Sequence, residues 1–374
     1  MYDVTIVGGG LGGLIASILL SEKGLNVLLL EKKQYPFHRV CGEYISNEVI
    51  PFLESHDIYP SELDPVAIDK LLISSVSGSF FKTQLDLGGF GLSRYAFDNW
   101  LATKARSLGV TLMEKTTVSS IDKNNHWTVS TTSGEQYYSN LVISAHGKRA
   151  KLDQQLKRNF LQSRSPYVGV KYHIISNLDN HTIALHNFVG GYCGVSRIES
   201  NKFNICYLAH RDQIKKYKHL PEFEQQVVLR NPHLREIWNN SEFLFDKPEV
   251  INEITFRAKE PVLNGIIMIG DSAGMITPLA GNGMAMAIRS AALASKAILD
   301  HYHPDGINED QITSQYQNIW RKHYQFHLAK GRVIQKALFS SSLSSSFAVF
   351  IGRFFKNITN SIIEQTHGEP FSKV

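Results

Sequence analysis

Glycine and acidic residues near the start of the chain have the types and spacing of a phosphate-binding site. Gly8, Gly10 and Gly13 fit the pattern G-x-G-x-x-G, and Glu31 follows about twenty residues later. Glycine at these positions permits a tight turn, a close approach of a pyrophosphate to the backbone, and close packing of a helix on a strand. A carboxylate at the later position accepts hydrogen bonds from ribose hydroxyls. The spacing therefore predicts that the chain binds a dinucleotide.

A second group of reactive residue types lies in the stretch FHRVCGEYIS, residues 37–46, which holds Arg39, Cys41, Gly42 and Glu43. A thiol here has three candidate roles: nucleophile, metal ligand, or member of a loop that encloses a ligand. The chain has only three cysteines, with no CxxC pair and no metal-ligand spacing: Cys41, Cys193 and Cys206. We therefore interpret the stretch as a loop that closes one side of a substrate pocket, with Cys41 and Glu43 as candidate proton donors.

The elements that must position the first group are short and local. Residues 2–7, YDVTIV, have the apolar, β-branched composition of a buried strand. LIASILLSEKGL has helical spacing and ends at Gly24, and NVLLLE predicts a second strand that ends in Glu31. The start of such a helix offers free N–H groups and a positive dipole end to phosphates. This strand–helix–strand unit leaves both FAD and NAD open as the ligand.

A later segment resolves that choice through a family resemblance. IIMIGDSAGMITPLAGNGMAMAIRSAALASKAIL, residues 266–299, resembles the second FAD motif of the para-hydroxybenzoate hydroxylase superfamily, and the matching residues are Gly270, Asp271, Ala273, Pro278, Gly281 and Gly283. The resemblance implies that Asp271 binds the ribityl chain and that the loop from Pro278 to Gly283 passes close to the flavin ring. It also implies that the helix starting near Met284 points its dipole at the flavin.

Two more segments resemble parts of the same superfamily. GLSRYAFDNWLATKARSLGV, residues 91–110, resembles its helix that opens with arginine and continues Phe-Asp-x-x-Leu, which implies that Arg94 faces the cofactor. LVISAHGKRAKL, residues 141–152, has His146 where the family has an aspartate that serves both FAD and nicotinamide binding. We interpret His146 as a turn residue, and the missing aspartate argues against direct use of NAD(P)H.

Together these motifs define the predicted cofactor site, and FAD is the predicted cofactor. Because no second G-x-G-x-x-G is present, we expect the electron donor to be transiently bound NAD(P)H or a reduced ferredoxin-like protein. The predicted FAD-binding residues are Gly8, Gly10, Leu11, Gly12, Gly13, Glu31, Lys32, Arg39, Cys41, Gly42, Arg94, Gly270, Asp271, Pro278, Gly281, Asn282, Gly283 and Met284.

The predicted fold class is α/β (α+β, two-domain), with a Rossmann-like FAD-binding domain, an antiparallel substrate sheet and C-terminal helices. Segments rich in β-branched and aromatic residues, separated by Asn, Asp, Gly and Ser turns, predict the sheet. From Asp310 the pattern is helical to the end. We assign residues 1–70, 91–155 and 250–300 to the FAD-binding domain, 71–90 and 156–249 to the sheet domain, and 301–374 to the helical region.

Composition limits the class of protein and its location. The 374 residues are 43% hydrophobic and 20% charged, which is typical of a globular enzyme, and a net charge of +5 is too small to predict nucleic-acid binding. No run of about twenty uncharged apolar residues and no signal-peptide pattern occur, so we expect a cytoplasmic protein. The C-terminal helices have a basic face and an apolar stripe, which suit either a cover for the core or peripheral contact with the inner face of the membrane.

The branch of the superfamily sets the predicted reaction. The Cys-Gly-Glu stretch resembles the Cys-Gly motif of the geranylgeranyl reductase group, whereas the Trp-x-Trp-x-Ile-Pro motif of flavin-dependent halogenases is absent. The group's Tyr-x-Trp-x-Phe-Pro motif survives only as Tyr192, with Gly194 and Ser196 in place of the aromatics, which would widen the cavity. A buried Tyr192 is a candidate proton donor.

The sequence leaves open two enzyme reactions on a hydrophobic small molecule, together with one non-catalytic function. The leading prediction is reduction of an isoprenoid-type carbon–carbon double bond. The alternative is hydroxylation of an aromatic or polyketide-like ring. A flavin electron-transfer protein is the third candidate, although such a protein needs no substrate cavity beneath a long sheet.

Overall fold

The structure is a computed structural model, and it describes residues 1–148, 151–162, 165–276, 282–303, 306–339, 342–355 and 368–372. Strands and helices are numbered in chain order. The helices are α1 (Leu11–Ser21), α2 (Ile50–Ser55), α3 (Arg94–Ser107), α4 (Lys151–Gln155), α5 (Arg211–Ile214), α6 (Leu220–Gln226), α7 (Pro232–Asn239), α8 (Gly283–His301), α9 (Glu309–Phe339) and α10 (Ser342–Phe354).

The first sheet has the strand order β16-β17-β9-β1-β2-β6, in which β17 to β6 are parallel and β16 is antiparallel to β17. The antiparallel pair β7 and β8 extends it, and β8 joins β9. Its central strands are buried over Val4–Val7 of β1 and throughout β2, as expected of a parallel sheet that helices cover on both faces. Its members are β1 (Tyr2–Val7), β2 (Val27–Leu30), β6 (Thr111–Met113), β7 (Val118–Lys123), β8 (Trp127–Thr131), β9 (Gln136–Ser144), β16 (Val262–Leu263) and β17 (Ile266–Met268). Buried residues of this sheet and of α1, α3, α8 and α9 form the main core.

The second sheet has nine strands in the order β14-β10-β13-β12-β11-β4-β5-β3, with β15 also paired to β10. All described pairs in it are antiparallel except β11 with β4. Its members are β3 (Tyr44–Ser46), β4 (Val66–Ser74), β5 (Phe80–Gly91), β10 (Tyr167–Ile175), β11 (Thr182–Phe188), β12 (Gly191–Arg197), β13 (Phe203–His210), β14 (Glu242–Phe243) and β15 (Glu249–Ile254). The short strands β18 (Tyr302–His303) and β19 (Gly306–Ile307) pair separately.

The predicted α/β class with a Rossmann-like unit is confirmed, but the chain runs between the two sheets differently from the sequence-based division. The structure places β3, the first part of β4, and β15 in the second sheet, whereas the sequence-based division assigns residues 1–70 and 250–300 to the FAD-binding domain. The parallel β11–β4 pair also makes the predicted antiparallel sheet a mixed one. Strand partners are set by tertiary packing, which the local pattern does not encode.

The C-terminal region is helical over α9 and α10, but the prediction that helix continues to the end is wrong. Residues 368–372 are irregular and return to the core, where Phe371 stacks on Phe52 at 5.0 Å between ring centroids. Gly368 donates its N–H to Glu48 Oε2 at 2.6 Å. Among the residues the structure describes, no helix combines the length and apolar composition needed to cross a membrane.

Candidate functional site

The first glycine-rich turn is shaped by backbone contacts that only glycine permits. Gly8 has φ of +105°, and a Cβ there would lie 2.5 Å from the carbonyl oxygen of Ala145. A Cβ at Gly13 would lie 2.0 Å from the carbonyl oxygen of Gly8. These contacts bring α1 against the ends of β1 and β9, as the glycine spacing predicts.

Gly10 and the start of α1 form an open cradle that fits a pyrophosphate. The nearest atom to a Cβ at Gly10 would be Arg94 Nη2 at 3.4 Å, so the protein itself leaves this space unfilled. Gly10 is the N-cap of α1 and makes no side-chain cap hydrogen bond, and no acidic residue lies in the first turn. The helix therefore directs backbone donors and its positive dipole end into the cradle, the arrangement that favours a phosphate anion.

Glu31 closes the other side of this turn at the end of β2. Its side chain is buried, and Oε2 accepts hydrogen bonds from the backbone N–H of Gly9 at 2.8 Å and from Arg39 Nη2 at 3.1 Å. Oε1 accepts from the N–H of Lys33 at 2.9 Å. The carboxylate is thus held rigidly beside the cradle, while the neighbouring Lys32 is exposed to solvent. This placement suits a ribose hydroxyl acceptor.

Two predicted arginines, Arg39 and Arg94, both bind Asp98, which is not among the residues predicted from the sequence. Asp98 accepts from Arg39 Nε at 2.9 Å and from Arg94 Nε at 2.6 Å, and Arg39 also donates to the carbonyl oxygen of Gly9 at 3.0 Å. Because Arg94 and Asp98 are four residues apart on α3, the helical spacing would have indicated this pair. Asp98 fixes both guanidinium groups beside the cradle.

We predict that the Gly10→Ala variant folds normally but binds FAD at least roughly tenfold more weakly, since the added methyl group enters space that only the ligand fills. Fluorescence titration with FAD measures the affinity, and thermal unfolding of the apoprotein measures the stability. The matched control is Gly24→Ala, where φ is +82° and no atom lies within 4 Å of the new Cβ. We expect the control to lose about 1 kcal/mol of stability and no FAD affinity. Normal FAD binding by Gly10→Ala would contradict the placement of the cradle.

The second motif follows β17 and lies against α8. Gly270 has φ of +59° and donates its N–H to Ser290 Oγ at 2.8 Å, which ties the turn to the helix. Asp271 is half-buried, Asn282 is the N-cap of α8, and Gly283 and Met284 form its first turn. Pro278 and Gly281, which the sequence also assigns to the site, lie outside the described residues. The ends of β1, β9 and β17 place both motifs at the same edge of one parallel sheet, the usual ligand edge of such folds.

A buried polar network supports the second motif, and its residues were not predicted. His146 is not a plain turn residue, because its Nε2 lies 2.9 Å from Asp153 Oδ1 and its Nδ1 lies 2.7 Å from Ser144 Oγ. Burial lowers the pKa of its imidazole below the usual value. Arg158 contacts Asp153 at 3.2 Å and donates to the carbonyl oxygen of Ser272 at 2.8 Å. The network joins the end of β9 to the Gly270–Ser272 turn.

Lys259 connects the second motif to Lys148. Its Nζ donates to the carbonyl oxygens of Asp271 and Lys148, both at 2.7 Å, and burial lowers its pKa to about 8. Lys148 in turn donates from Nζ to the carbonyl oxygen of Val40 at 2.9 Å. The second motif is therefore linked by hydrogen bonds to the Cys-Gly-Glu loop. Sequence alone held no signal for this, because the residues come from segments far apart in the chain.

Glu43 does not have the environment of a proton donor. Its carboxylate is fully buried and accepts from Lys171 Nζ at 2.5 Å, from the N–H of Arg94 at 2.8 Å, and lies 2.7 Å from His173 Nε2. Burial alone would raise its pKa, but Lys171 and His173 outweigh that effect and lower the pKa to about 2. Glu43 is thus an anion at neutral pH, and its sequence-based assignment as a proton donor is not supported.

The backbone of the same loop lies across the second sheet. Asn204 Nδ2 donates to the carbonyl oxygens of Cys41 at 3.1 Å and Gly42 at 2.9 Å, and Ser196 Oγ donates to Gly42 at 3.2 Å. The Cys41 side chain is half-buried and packs against the main core. No protein atom lies within 4 Å of a Cβ at Gly42, so nothing in the described structure requires glycine there. These hydrogen bonds fix the loop to the second sheet, and the Cys41 side chain fixes it to the main core, so the loop bridges the two sheets.

Tyr192 belongs to an apolar cluster on the face of the second sheet opposite α6 and α7. The cluster also contains Met275, which follows Asp271 closely in the second motif, so the cluster lies beside the predicted flavin site. Burial raises the pKa of the Tyr192 phenol well above its usual value, so the hydroxyl is protonated at neutral pH. The buried members are Tyr44, Ile68, Leu71, Leu85, Leu185, Tyr192, Leu208, Ile254, Phe256 and Met275.

The site as described consists of a phosphate cradle, a ribose-side carboxylate, a second glycine turn and an apolar cluster. The three cysteines are free thiols, and no group of three or more His, Cys, Asp or Glu side chains among the described residues is arranged to hold a metal ion. The arrangement can bind a dinucleotide with phosphates at α1 and its other end near the apolar cluster. Its residues therefore fit FAD.

Comparison with known proteins agrees with this geometry. A family model described as "FAD binding domain" matches residues 1–325. The digeranylgeranylglycerophospholipid reductase of Methanocaldococcus jannaschii is 26% identical over 355 residues, which cover 90% of this chain and 87% of that protein. Conditioned medium factor receptor 1 of Dictyostelium discoideum is 24% identical over 364 residues, which cover 86% of this chain and 67% of that protein.

Solved structures show the same fold in proteins of different names. The flavin-dependent brominase Bmp2 superposes with a TM-score of 0.78 at 18% identity, covering 98% of this chain and 93% of its own. A geranylgeranyl bacteriochlorophyll reductase-like protein from Thermoplasma acidophilum superposes with a TM-score of 0.75 at 20% identity, covering 99% of this chain and 96% of its own. The fold is therefore shared by both kinds of protein and does not by itself distinguish their reactions.

Proposed function

The chain belongs to the FAD binding domain family and is an FAD-dependent oxidoreductase, and we propose that it reduces carbon–carbon double bonds in an isoprenoid-type substrate. The observation that carries the proposal is the apolar cluster around Tyr192. The cluster belongs mainly to the second sheet, and it lies beside the second FAD motif because it includes Met275. An extended hydrocarbon chain needs such a lining, because burying its surface supplies the binding free energy. The similarity to the archaeal digeranylgeranylglycerophospholipid reductase supports the same substrate class.

Bound FAD, once reduced, supplies the hydride that one alkene carbon accepts. This chain's own residues hold the cofactor, exclude water and provide the proton for the other carbon. Tyr192 is the better candidate for that proton, because its buried phenol stays protonated while Glu43 is ionised. Cys41 is the second candidate, since its loop lies between the two sheets. We propose NAD(P)H or a reduced ferredoxin-like protein as the source of electrons.

Anaerobic reduction of the FAD-loaded protein tests the proposed reaction. The reduced protein is mixed with geranylgeraniol, and flavin absorbance and product mass are followed. We expect the absorbance of oxidised flavin to return as the product gains two hydrogen atoms per reduced bond. The controls are the fully saturated alcohol and free FAD under the same conditions, neither of which should react.

The monooxygenase alternative predicts the opposite result. The reduced protein would not react with the alkene, and oxygen would be needed to convert an aromatic probe to a product one oxygen atom heavier. That outcome would contradict the reductase proposal while leaving the FAD site intact. Gly194 and Ser196 lie on the same strand as Tyr192, and the sequence-based expectation that they widen the cavity is the reason to include an aromatic probe in the experiment.

A further inference from the structure

Helix α10 exposes an aromatic face to solvent. Phe347 is 63% exposed, Phe350 49% and Phe354 68%, and their spacing places them on one side of the helix. The opposite side is buried at Val349 and Gly352, and a Cβ at Gly352 would lie 2.4 Å from the ring of Phe81 on β5. The helix therefore rests on the second sheet and turns its largest apolar side chains outward, which is unusual for a surface in contact with water only.

Neighbouring elements extend this face. Arg353 Nε donates to the carbonyl oxygen of Phe80 at 2.8 Å, and Phe80, at the tip of the β4–β5 hairpin, is 37% exposed. Phe355, directly after α10, is 49% exposed. We call these five phenylalanines the aromatic face: Phe80, Phe347, Phe350, Phe354 and Phe355. All exposed phenylalanines of the described residues belong to it except Phe326, which lies on α9.

The sequence on both sides of α10 carries only positively charged side chains among Lys, Arg, Asp and Glu. Residues 311–363 contain no Asp or Glu, and they contain seven Lys and Arg residues: Arg321, Lys322, Lys330, Arg332, Lys336, Arg353 and Lys356. The rest of the chain holds 32 Lys and Arg against 34 Asp and Glu, so the whole positive excess of the protein comes from this segment. A basic segment with exposed aromatics complements an anionic surface that also has an apolar layer.

We propose that the aromatic face is a docking surface for an anionic lipid bilayer, with the phenylalanines in the acyl boundary and the net positive charge of this part of the chain attracting the headgroups. Contact would be interfacial, because no helix among the described residues is long and apolar enough to span a membrane. A second copy of the chain is a poorer occupant, since a symmetric dimer would bring two exclusively basic segments together. The proposal does not depend on the reaction, because binding is measured without turnover.

Sedimentation of the full FAD-loaded protein with lipid vesicles tests the proposal. We expect binding to vesicles that contain phosphatidylglycerol, weaker binding to phosphatidylcholine alone, and release by high salt. The variant with Phe347→Ser, Phe350→Ser and Phe354→Ser should lose roughly tenfold or more in partition onto anionic vesicles. Because these side chains are exposed, the variant should retain FAD and its circular dichroism spectrum.

The matched control carries Tyr138→Ser and Val189→Ser, which remove exposed apolar side chains, 47% and 42% exposed, from other elements. It should bind vesicles as the wild type does. The proposal is overturned if the wild type stays in solution with anionic vesicles at low salt, or if the triple variant still binds equally well. It is also overturned if the triple substitution abolishes a wild-type dimer in size-exclusion chromatography and vesicles do not bind, which would assign the face to a second copy.

Discussion

Replacing Glu43 with glutamine is expected to lower the free energy of unfolding by about 3–5 kcal/mol, the usual cost of leaving a buried charge without its partner. Lys171 is the charge concerned: its side chain is fully buried and its Nζ lies 2.5 Å from Glu43. Glutamine keeps the size of the side chain and can still accept a hydrogen bond, but it removes the negative charge. His173, on the same strand, would lose its anionic partner as well.

The same pair predicts a pH dependence in a defined window. The pKa of Glu43 is about 2 in the folded protein against a usual value of 4.5, so the stabilisation is present above pH 4.5 and is lost as the pH falls towards 2. A shift of this size corresponds to about 3 kcal/mol. In Glu43→Gln this contribution to the acid transition should be absent.

Urea unfolding at neutral pH, and again at acid pH, measures both effects. Glu242→Gln on β14 is the matched control, because its side chain is exposed on the same sheet, and it should change stability by less than about 0.5 kcal/mol. Adding Lys171→Met to Glu43→Gln removes the unpaired cation and should recover part of the loss. If Glu43→Gln alone unfolds like the wild type, the buried charge pair is not what holds the loop.

Gly13→Ala is expected to cost about 3 kcal/mol or more of stability and to abolish FAD binding. The new Cβ would lie 2.0 Å from the carbonyl oxygen of Gly8, and a backbone atom can move only if α1 shifts away from β1. That shift would also move the N–H groups at the start of α1 away from the phosphate cradle. The Gly13→Ala variant should therefore lose both stability and FAD binding, whereas the Gly10→Ala variant should lose FAD affinity alone.

Gly12→Ala is the matched control for this prediction. Its Cβ would meet the Ala287 carbonyl oxygen and the Ile269 side chain at 3.4 Å, which is an ordinary contact, so stability should change by less than about 1 kcal/mol. Thermal unfolding and FAD titration of the variants are compared side by side. A Gly13→Ala protein that folds and binds FAD like the Gly12→Ala control would refute the steric argument.

Several features of the fold and the site follow from local sequence. The turn and the start of α1 need glycine at Gly8, Gly10 and Gly13, and all three lie within a few residues of each other. Their spacing alone therefore predicts the cradle. Glu31 lies at the end of the strand that the apolar run predicts, and the structure places it against the same turn. The hydrophobic patterns also predict β1, β2 and the long strands of the second sheet, because side-chain composition and alternation are local properties.

Other features were decided by tertiary structure. Sequence patterns cannot show that β3, β4 and β15 join the second sheet, because strand pairing depends on partners far along the chain. The sequence predicts that His146 is a turn residue, whereas in the fold its side chain is buried against Asp153. The sequence leaves open whether the C-terminal helices cover the core or present an apolar surface, and only the packing of α10 shows that Phe347, Phe350 and Phe354 point outward.

The Cys-Gly-Glu loop shows most clearly what the local sequence predicts and what only the tertiary structure decides. Its composition predicts a loop that encloses a ligand, and it leaves Cys41 and Glu43 as equal candidates for a proton donor. Lys171 and His173 lie on a strand more than a hundred residues away, and only the fold brings them to Glu43. Residue types and spacing determine what a segment can bind, since those needs are local. The ionisation of a side chain depends on burial and on nearby charges, and both arise only when the chain has folded.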